Sequence, residues 1–322
     1  MKDKSSFKTY VLVFILIVLL NFLLPRLLPG GPLDFIEGSE NGVMMTEAHK
    51  QAMIAYYQLE DSASEQFVNY LKGVLTFDYG FSFTHKSPVK EVIVSSLANT
   101  LFVVGISTIL SLGIGLVLGL LSGWWSSKKR ERWLLISMLG FSAIPEFLVG
   151  LTLLLLFAVN VHLFPLSGAE TPFLRDASFI EIAIDRLHHA FLPITTLTFV
   201  SVASMYMMMR NSTIQVLKEP FIEFTRAKGI SPKQIMFKHV AKAAILPIFT
   251  LMTNRIGTLL TGAVFVETVF SYPGIGKLLQ EAILTRDYPL MHGLIFLFAF
   301  IILLINASAD RLYAKLDPRV KG

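Results

Sequence analysis

Residues 97–124 read LANTLFVVGISTILSLGIGLVLGLLSGW, a long run without one charged side chain. An α-helix needs roughly 20 mainly apolar residues to cross the hydrocarbon core of a bilayer. The run therefore predicts a membrane-spanning helix. Its glycines at 115, 119 and 123 recur at every fourth residue, and small residues at that spacing share one helix face. We expect Gly115, Gly119 and Gly123 to form a packing face against a neighbouring helix.

Five other runs have the same apolar character, at residues 9–28, 133–159, 192–209, 245–266 and 289–308. The chain is 53% hydrophobic and only 16% charged, too apolar for an ordinary aqueous surface. The predicted fold class is all-α, a polytopic membrane protein with six transmembrane helices. A long loop separates helices 1 and 2. The fourth run is rich in Thr and Ser, which predicts a helix that faces the bundle rather than lipid. The chain has no cysteine, which excludes disulfides and thiolate chemistry.

Lysine and arginine concentrate in the N-terminus, in the second and fourth loops and in the C-terminal tail. Cytoplasmic loops retain positive charge, so both termini are expected in the cytoplasm. The net charge of +5 follows this topology and does not predict binding to nucleic acid. We expect four regions: residues 1–28, the cytoplasmic N-terminus and first helix; 29–95, an extracytoplasmic loop; 96–310, the core transmembrane domain with a cytoplasmic loop at 211–244; and 311–322, a cytoplasmic tail.

The fourth loop contains a basic, amphipathic stretch, EFTRAKGISPKQIMFKH at residues 223–239. Gly229 allows a sharp turn, and Ser231 before Pro232 is typical of a helix N-cap followed by proline at the first helical position. The pattern predicts two short helices joined by a turn. Its apolar residues are candidate docking anchors: Phe221, Ile222, Phe224, Ile230, Ile235, Met236 and Phe237. The residues alone are equally consistent with a helix lying on the membrane surface.

Several separate motifs resemble the dipeptide, oligopeptide and nickel branch of ABC importer permeases. They cover nearly the whole chain in the same order: residues 28–32, 77–82, 99–101, 143–147, 227–229, 267–276, 287–289 and 310–319. Two departures stand out. Gly31 occupies the position of an acidic residue, and Phe224 and Thr225 stand where the family's EAA loop has alanines.

The resemblance implies the type I ABC importer permease fold and a function as the membrane pathway for small solutes, di- or oligopeptides first, with nickel or metal chelates as the alternative. It identifies an ATPase-coupling loop made of Glu223, Phe224, Arg226, Ala227, Lys228, Gly229 and Ser231. It also implies a second homologous permease, two ABC ATPase subunits, an extracytoplasmic solute-binding protein and a location in the prokaryotic plasma membrane. ATP and Mg²⁺ would bind to the ATPase subunits, so this chain would hold no cofactor.

Two charged residues lie well inside predicted spans, Glu146 in the third and Arg255 in the fifth. A charge near the bilayer centre costs about 2.5–3.5 kcal/mol even on insertion scales. We hypothesise that both face the bundle interior, where they either pair with each other or line the solute pathway. A buried pair that only fixes helix packing is the alternative. Arg26 and Glu267 lie nearer the span ends and are expected to snorkel towards water.

The sequence shows no catalytic set. The glycines and lysine at 272–277 lack the spacing of a phosphate-binding loop, and the adjacent His188 and His189 point in different directions on a helix, so no metal site is predicted. Two other classes stay open. An ATP-independent secondary transporter or channel would show inverted repeats, which the sequence does not display, and an intramembrane enzyme would need catalytic residues.

Overall fold

The structure is a computed structural model that describes residues 2–27, 54, 61–172, 178–245, 248 and 262–316. These residues are mainly helical and contain no β-strand, only one isolated bridge between Phe81 and Pro88. The predicted all-α class is therefore confirmed. The α-helices are α1 (Lys2–Leu27), α2 (Ala63–Thr76), α3 (Val89–Trp124), α4 (Lys129–Ser142), α5 (Glu146–Leu153), α6 (Phe179–Val216), α7 (Pro220–Ala227), α8 (Pro232–Gln234), α9 (residues 262–269), α10 (Ile275–Thr285) and α11 (Tyr288–Leu316), with π-helices π1 (Leu154–Asn160) and π2 (Ile235–Val240).

Three helical stretches are long and apolar enough to cross a membrane: Val89–Trp124, Phe179–Val216 and Tyr288–Ser308. They contain or overlap the second, fourth and sixth predicted spans. In α1 the apolar stretch Thr9–Leu23 is shorter. Most of the fifth run lies outside the described residues, so the count of six spans stays a prediction.

The third predicted span, 133–159, is a bent pair of helices rather than one continuous helix. Helix α4 and the segment Glu146–Asn160 meet at an angle of 92°. Pro145 causes the break, because proline has no N–H to donate and forces the preceding residue out of the helical region. Pro145 itself has extended geometry, with φ −58° and ψ 141°, and caps the start of α5.

The described chain forms two compact units. The first comprises residues 1–98 and 277–304, and α3 begins in it at Val89, inside the predicted loop 29–95. Its hydrophobic core joins α1, α2 and α11 through Val18, Phe22, Tyr70, Val74 and Phe296. Helix α2 starts with a reciprocal capping box between Ser62 and Glu65, whose hydrogen bonds also lower the pKa of the Glu65 carboxyl.

A buried carboxylate organises the first unit around the start of α11. Asp287 accepts hydrogen bonds from the Ser82 hydroxyl at 2.6 Å and from the backbone N–H groups of Thr84 and Leu290 at 3.0 and 3.2 Å. It therefore caps α11 and holds the loop before α3 at the same time. Arg26, expected to snorkel, instead donates to the Gln66 side chain on α2 at 2.6 Å.

The second unit comprises residues 99–276 and 305–322, and α6 supplies much of its core. The polar residues Thr196, Thr198 and Ser201 are buried, as expected for a helix that faces protein. Thr196 donates its hydroxyl to the Leu192 carbonyl at 2.8 Å, which satisfies it within its own helix.

Candidate functional site

Loop 211–244 forms the predicted helix, turn and helix. Helix α7 begins with Pro220 and ends with Ala227, and Lys228 is its C-cap. Gly229 then adopts φ +77° and donates its N–H to the Arg226 carbonyl at 2.9 Å. This left-handed backbone is the reason for glycine at this position. Crowding is not, because no atom lies within 4 Å of a Cβ added to Gly229. Ser231 is the N-cap of α8 and Pro232 its first helical residue, as predicted, although the Ser231 side chain makes no capping hydrogen bond.

One face of this loop is built into the core of the second unit. Three of the seven predicted docking anchors are buried there: Ile222, Ile235 and Met236. They pack in one cluster with Leu120 of α3 and Met209 of α6. The prediction that all the apolar residues serve a partner is therefore wrong for these three, because an amphipathic helix first buries one face against its own bundle.

The opposite face carries exposed aromatic and charged side chains. Phe221, Phe224 and Phe237 are 43%, 64% and 56% exposed, and the Lys228 ammonium lies 4.5 Å from the centre of the Phe224 ring. The remaining predicted coupling residues are also exposed: Glu223, Arg226, Ala227, Gly229 and Ser231. We call this surface, residues 221–237 on the exposed side, the coupling face.

Two polar contacts tie the loop region to the bundle. The Ser212 hydroxyl donates to the Ala244 carbonyl at 2.7 Å and joins the two ends of loop 211–244. Arg210 donates to Oε1 of the buried Glu131 carboxylate through Nε at 2.9 Å and Nη2 at 2.5 Å. This ion pair connects the first turn of α4 to α6 immediately before the loop, and the sequence alone did not predict it.

The three glycines of α3 lie directly against α6. A Cβ at Gly119 or Gly123 would come within 2.6 Å of the Cβ of Met209 or Thr213, and one at Gly115 would overlap Met205. Such approaches are shorter than any real Cβ contact, so only glycine permits this separation of the two helices.

The structure describes one of the two charged pathway candidates, Glu146. Glu146 starts α5, and its carboxylate lies against Gly262 in α9, where a Cβ would overlap it. Its Oε2 is buried and has no hydrogen-bond partner among the described residues. Arg255 lies outside the described residues, so the proposed pair stays a prediction.

Glu267 was expected to snorkel towards water, but its side chain is buried, with a residue exposure of 1%. Its carboxylate accepts from the Thr100 hydroxyl at 2.5 Å and from the Gly276 N–H at 2.7 Å, while Thr100 accepts from the Ile275 N–H at 2.9 Å. We call this arrangement the Thr100–Glu267 clasp. Gly274 and Gly276 leave room for the Glu267 carboxylate, because a Cβ at either position would overlap it. These two glycines are the feature of the sequence that could have indicated a buried group here.

The fold and the site together define a multi-pass α-helical membrane protein that presents a short amphipathic helix pair in a loop. The family described as binding-protein-dependent transport system inner membrane component matches residues 115–322. The chain belongs to this family. It is therefore the permease subunit of an ABC importer in the plasma membrane and not an enzyme, because ATP is hydrolysed in separate subunits.

Curated relatives are similar over almost their full length. The oligopeptide transport system permease protein AppB of Bacillus subtilis is 32% identical over 95% of this chain and 94% of its own. The dipeptide permease DppB of Escherichia coli is 32% identical over 96% and 95%, and the glutathione permease GsiC of Salmonella typhimurium is 31% identical over 95% and 94%. A chain of the inward-facing MetNI methionine ABC transporter is 20% identical with a TM-score of 0.57, over 71% of this chain and 97% of its own, and supports the fold.

Proposed function

We propose that this chain forms the pathway for di- or oligopeptides and that its coupling face docks onto an ABC ATPase subunit. The relatives named above carry oligopeptides, dipeptides and glutathione, which are all peptides. The observation that carries the docking proposal is the division of loop 211–244 into one face built into the core and one exposed aromatic face.

The coupling face has the chemistry of a protein interface. Aromatic and arginine side chains supply most of the binding energy at such interfaces, and Phe221, Phe224, Phe237 and Arg226 are all exposed on it. A membrane-surface helix is less well supported, because the aliphatic residues that would enter lipid, such as Ile222 and Ile235, are occupied in the core.

A force applied to the coupling face would reach two spans directly. Ile222 is fully buried in the cluster that contains Leu120 of α3 and Met209 of α6. Close-packed interiors have low compressibility, so a displacement of α7 is passed on rather than absorbed. ATP binding that draws two docked loops together would in this way switch the bundle between outward and inward access.

The full transporter would contain a second homologous permease, two ATPase subunits that bind ATP and Mg²⁺, and an extracytoplasmic solute-binding protein. Both termini and loop 211–244 would face the cytoplasm, residues 29–95 would face outwards, and six helices would contact lipid or the partner permease. No nucleic acid takes part.

Replacing Phe224 by alanine tests the docking proposal. Loss of one aromatic hot spot costs about 2 kcal/mol, so the affinity for the ATPase subunits should fall about thirtyfold. Phe179→Ala is the matched control, because Phe179 is 86% exposed at the other end of α6. The readouts are ATPase copurification and ATP-dependent uptake of a labelled dipeptide into proteoliposomes.

Wild-type ATPase retention and uptake in Phe224→Ala would refute docking through this face. Uptake by the isolated chain without ATPase subunits would instead support a secondary transporter. ATP-driven uptake of nickel or a metal chelate with no uptake of peptides would replace the peptide proposal by its alternative.

A further inference from the structure

The break between α4 and α5 exposes irregular backbone inside a predicted span. Ala143, Ile144 and Pro145 are all exposed, and neither helix covers them. The N–H groups of Ala143 and Ile144 donate to the Gly140 and Phe141 carbonyls at 3.2 and 3.3 Å. The first N–H groups of α5, those of Glu146 and Phe147, have no acceptor within the helix by their position. Lipid does not tolerate unpaired backbone groups, so a helix starts inside a span only where protein or water covers that start. The break is therefore a candidate point on an aqueous pathway.

Glu146 places a carboxylate at this break. The glycine at 262 provides its space, since any larger residue there would overlap the carboxylate. Behind it, Val149 and Gly150 are buried, and Gly150 faces Thr196 of α6 and Phe270 at close range. The acid is thus held on a helix that is packed in place, as a preorganised binding group requires.

The charge on Glu146 needs a partner. Its Oε2 has none among the described residues, although a charge in a span costs about 2.5–3.5 kcal/mol. Intramembrane ionisable residues accordingly mark substrate or ion pathways by default. Two cations are available in principle: Arg255 of this chain, or a positive group on the solute.

We propose that Glu146 is a solute-binding residue that accepts hydrogen bonds from the ammonium group of a peptide as it passes the break. The inference rests on the proposed function as a peptide importer. Every peptide with a free N-terminus carries an ammonium group, because the α-amino pKa is about 8. A charge-assisted hydrogen bond of this kind orients the peptide, while a single contact remains weak enough to release it.

Single-cysteine labelling tests whether Glu146 lines water. The chain has no native cysteine, so Glu146→Cys introduces the only thiol of this subunit. Leu148→Cys is the matched control, because residues two apart point to nearly opposite sides of α5 and Leu148 is 42% exposed. The probe is a membrane-impermeant cationic methanethiosulfonate reagent, applied to the complex with its ATPase subunits.

We expect Glu146→Cys to react about tenfold faster than Leu148→Cys, because the nucleophile that attacks the methanethiosulfonate and displaces methanesulfinate is the thiolate, which forms in water and not in lipid. Saturating alanyl-alanine, delivered by the receptor, should slow the reaction. Equal rates for the two variants would overturn the proposal. The comparison of the two labelling rates needs neither ATP hydrolysis nor transport, so it stands even if the Phe224 test contradicts docking through the coupling face.

Transport by Glu146→Gln and Glu146→Asp tests the role of the charge. Gln keeps the size but loses the charge, so alanyl-alanine uptake at saturating receptor should fall about tenfold, the size of one charge-assisted hydrogen bond. ATPase copurification and ATP hydrolysis should be unchanged, which a merely structural role would not allow. Asp keeps the charge and should restore most of the uptake.

Two results would contradict this role. Wild-type uptake by Glu146→Gln would show that the charge is not used. Restoration of uptake by adding Arg255→Gln to Glu146→Gln would show that Arg255, not the solute, is the partner of the carboxylate.

Discussion

Replacing Thr100 by valine should destabilise the second unit through the Thr100–Glu267 clasp. The Thr100 side chain is 1% exposed and serves two bonds, donating to Glu267 Oε1 at 2.5 Å and accepting from the Ile275 N–H at 2.9 Å. Valine has nearly the same shape, so the substitution removes the hydroxyl without opening a cavity. It leaves a buried N–H without its acceptor.

The magnitude follows from these two bonds. A hydrogen bond to a charged group contributes about 1.5–3 kcal/mol, and a buried donor left unsatisfied costs about 1–3 kcal/mol. Glu267 retains the Gly276 N–H at 2.7 Å, so its carboxylate is not abandoned. We therefore expect Thr100→Val to lower the free energy of unfolding by about 3 kcal/mol.

The assay is reversible unfolding of the purified chain in mixed micelles with increasing SDS, followed by circular dichroism. Thr100→Ser is the control, since it keeps the hydroxyl and loses only one methyl group, worth about 0.8 kcal/mol. Equal stability of the valine and serine variants would refute the reasoning, because it would mean that the hydroxyl contributes nothing.

Three further changes probe other contacts. Gly119→Leu should lower the unfolding free energy by about 1–3 kcal/mol through overpacking against α6, while Gly105→Leu in the same helix, where no atom lies within 4 Å of the added Cβ, should be tolerated in the same SDS titration. Glu131→Gln should lower the free energy of unfolding by about 2 kcal/mol, because it weakens the pair with Arg210. Glu219→Gln on the exposed surface should leave that free energy unchanged. Wild-type stability of Glu131→Gln would contradict a structural ion pair. Ser82→Ala should speed proteolysis of loop 78–88 by removing the bond to Asp287, and Ser95→Ala, whose hydroxyl bonds only within its helix, should not.

The sequence predicted the features that follow from the bilayer and from local chain chemistry. Apolar runs identified the helices at 97–124 and 289–308 because lipid forces every backbone group into a helix. The positive φ of Gly229 was predictable for a similar reason, since few other residues adopt it. The small-residue repeat of α3 also predicted close packing against a neighbouring helix, but not that this helix is α6.

The sequence could not predict contacts that depend on distant residues. Glu267 was expected to snorkel because its partner Thr100 lies 167 positions away in the chain. The sequence of loop 211–244 did not predict which face would be buried. Ile222 and Phe224 are both apolar, but only Ile222 packs against the helices of the bundle, and Phe224 stays exposed. The bend at Pro145 is locally encoded, because proline interrupts a helix, but the sequence does not predict its angle of 92°.

Helix α3 connects loop 211–244 to the Thr100–Glu267 clasp, so a displacement of the loop would reach the clasp. Leu120 packs with Ile222 of the loop, and Thr100 lies twenty residues earlier in the same helix, about 30 Å away at 1.5 Å per residue. A packed helix moves as a rigid body, so displacement at Leu120 must either carry the Glu267–Gly276 segment along or break the Thr100 bond. If the clasp transmits the motion, Thr100→Val should hydrolyse ATP at the wild-type rate with loaded receptor but take up less dipeptide per ATP, and Thr100→Ser should restore the ratio. An unchanged ratio in a destabilised Thr100→Val would show that the clasp only holds the fold and does not transmit the motion.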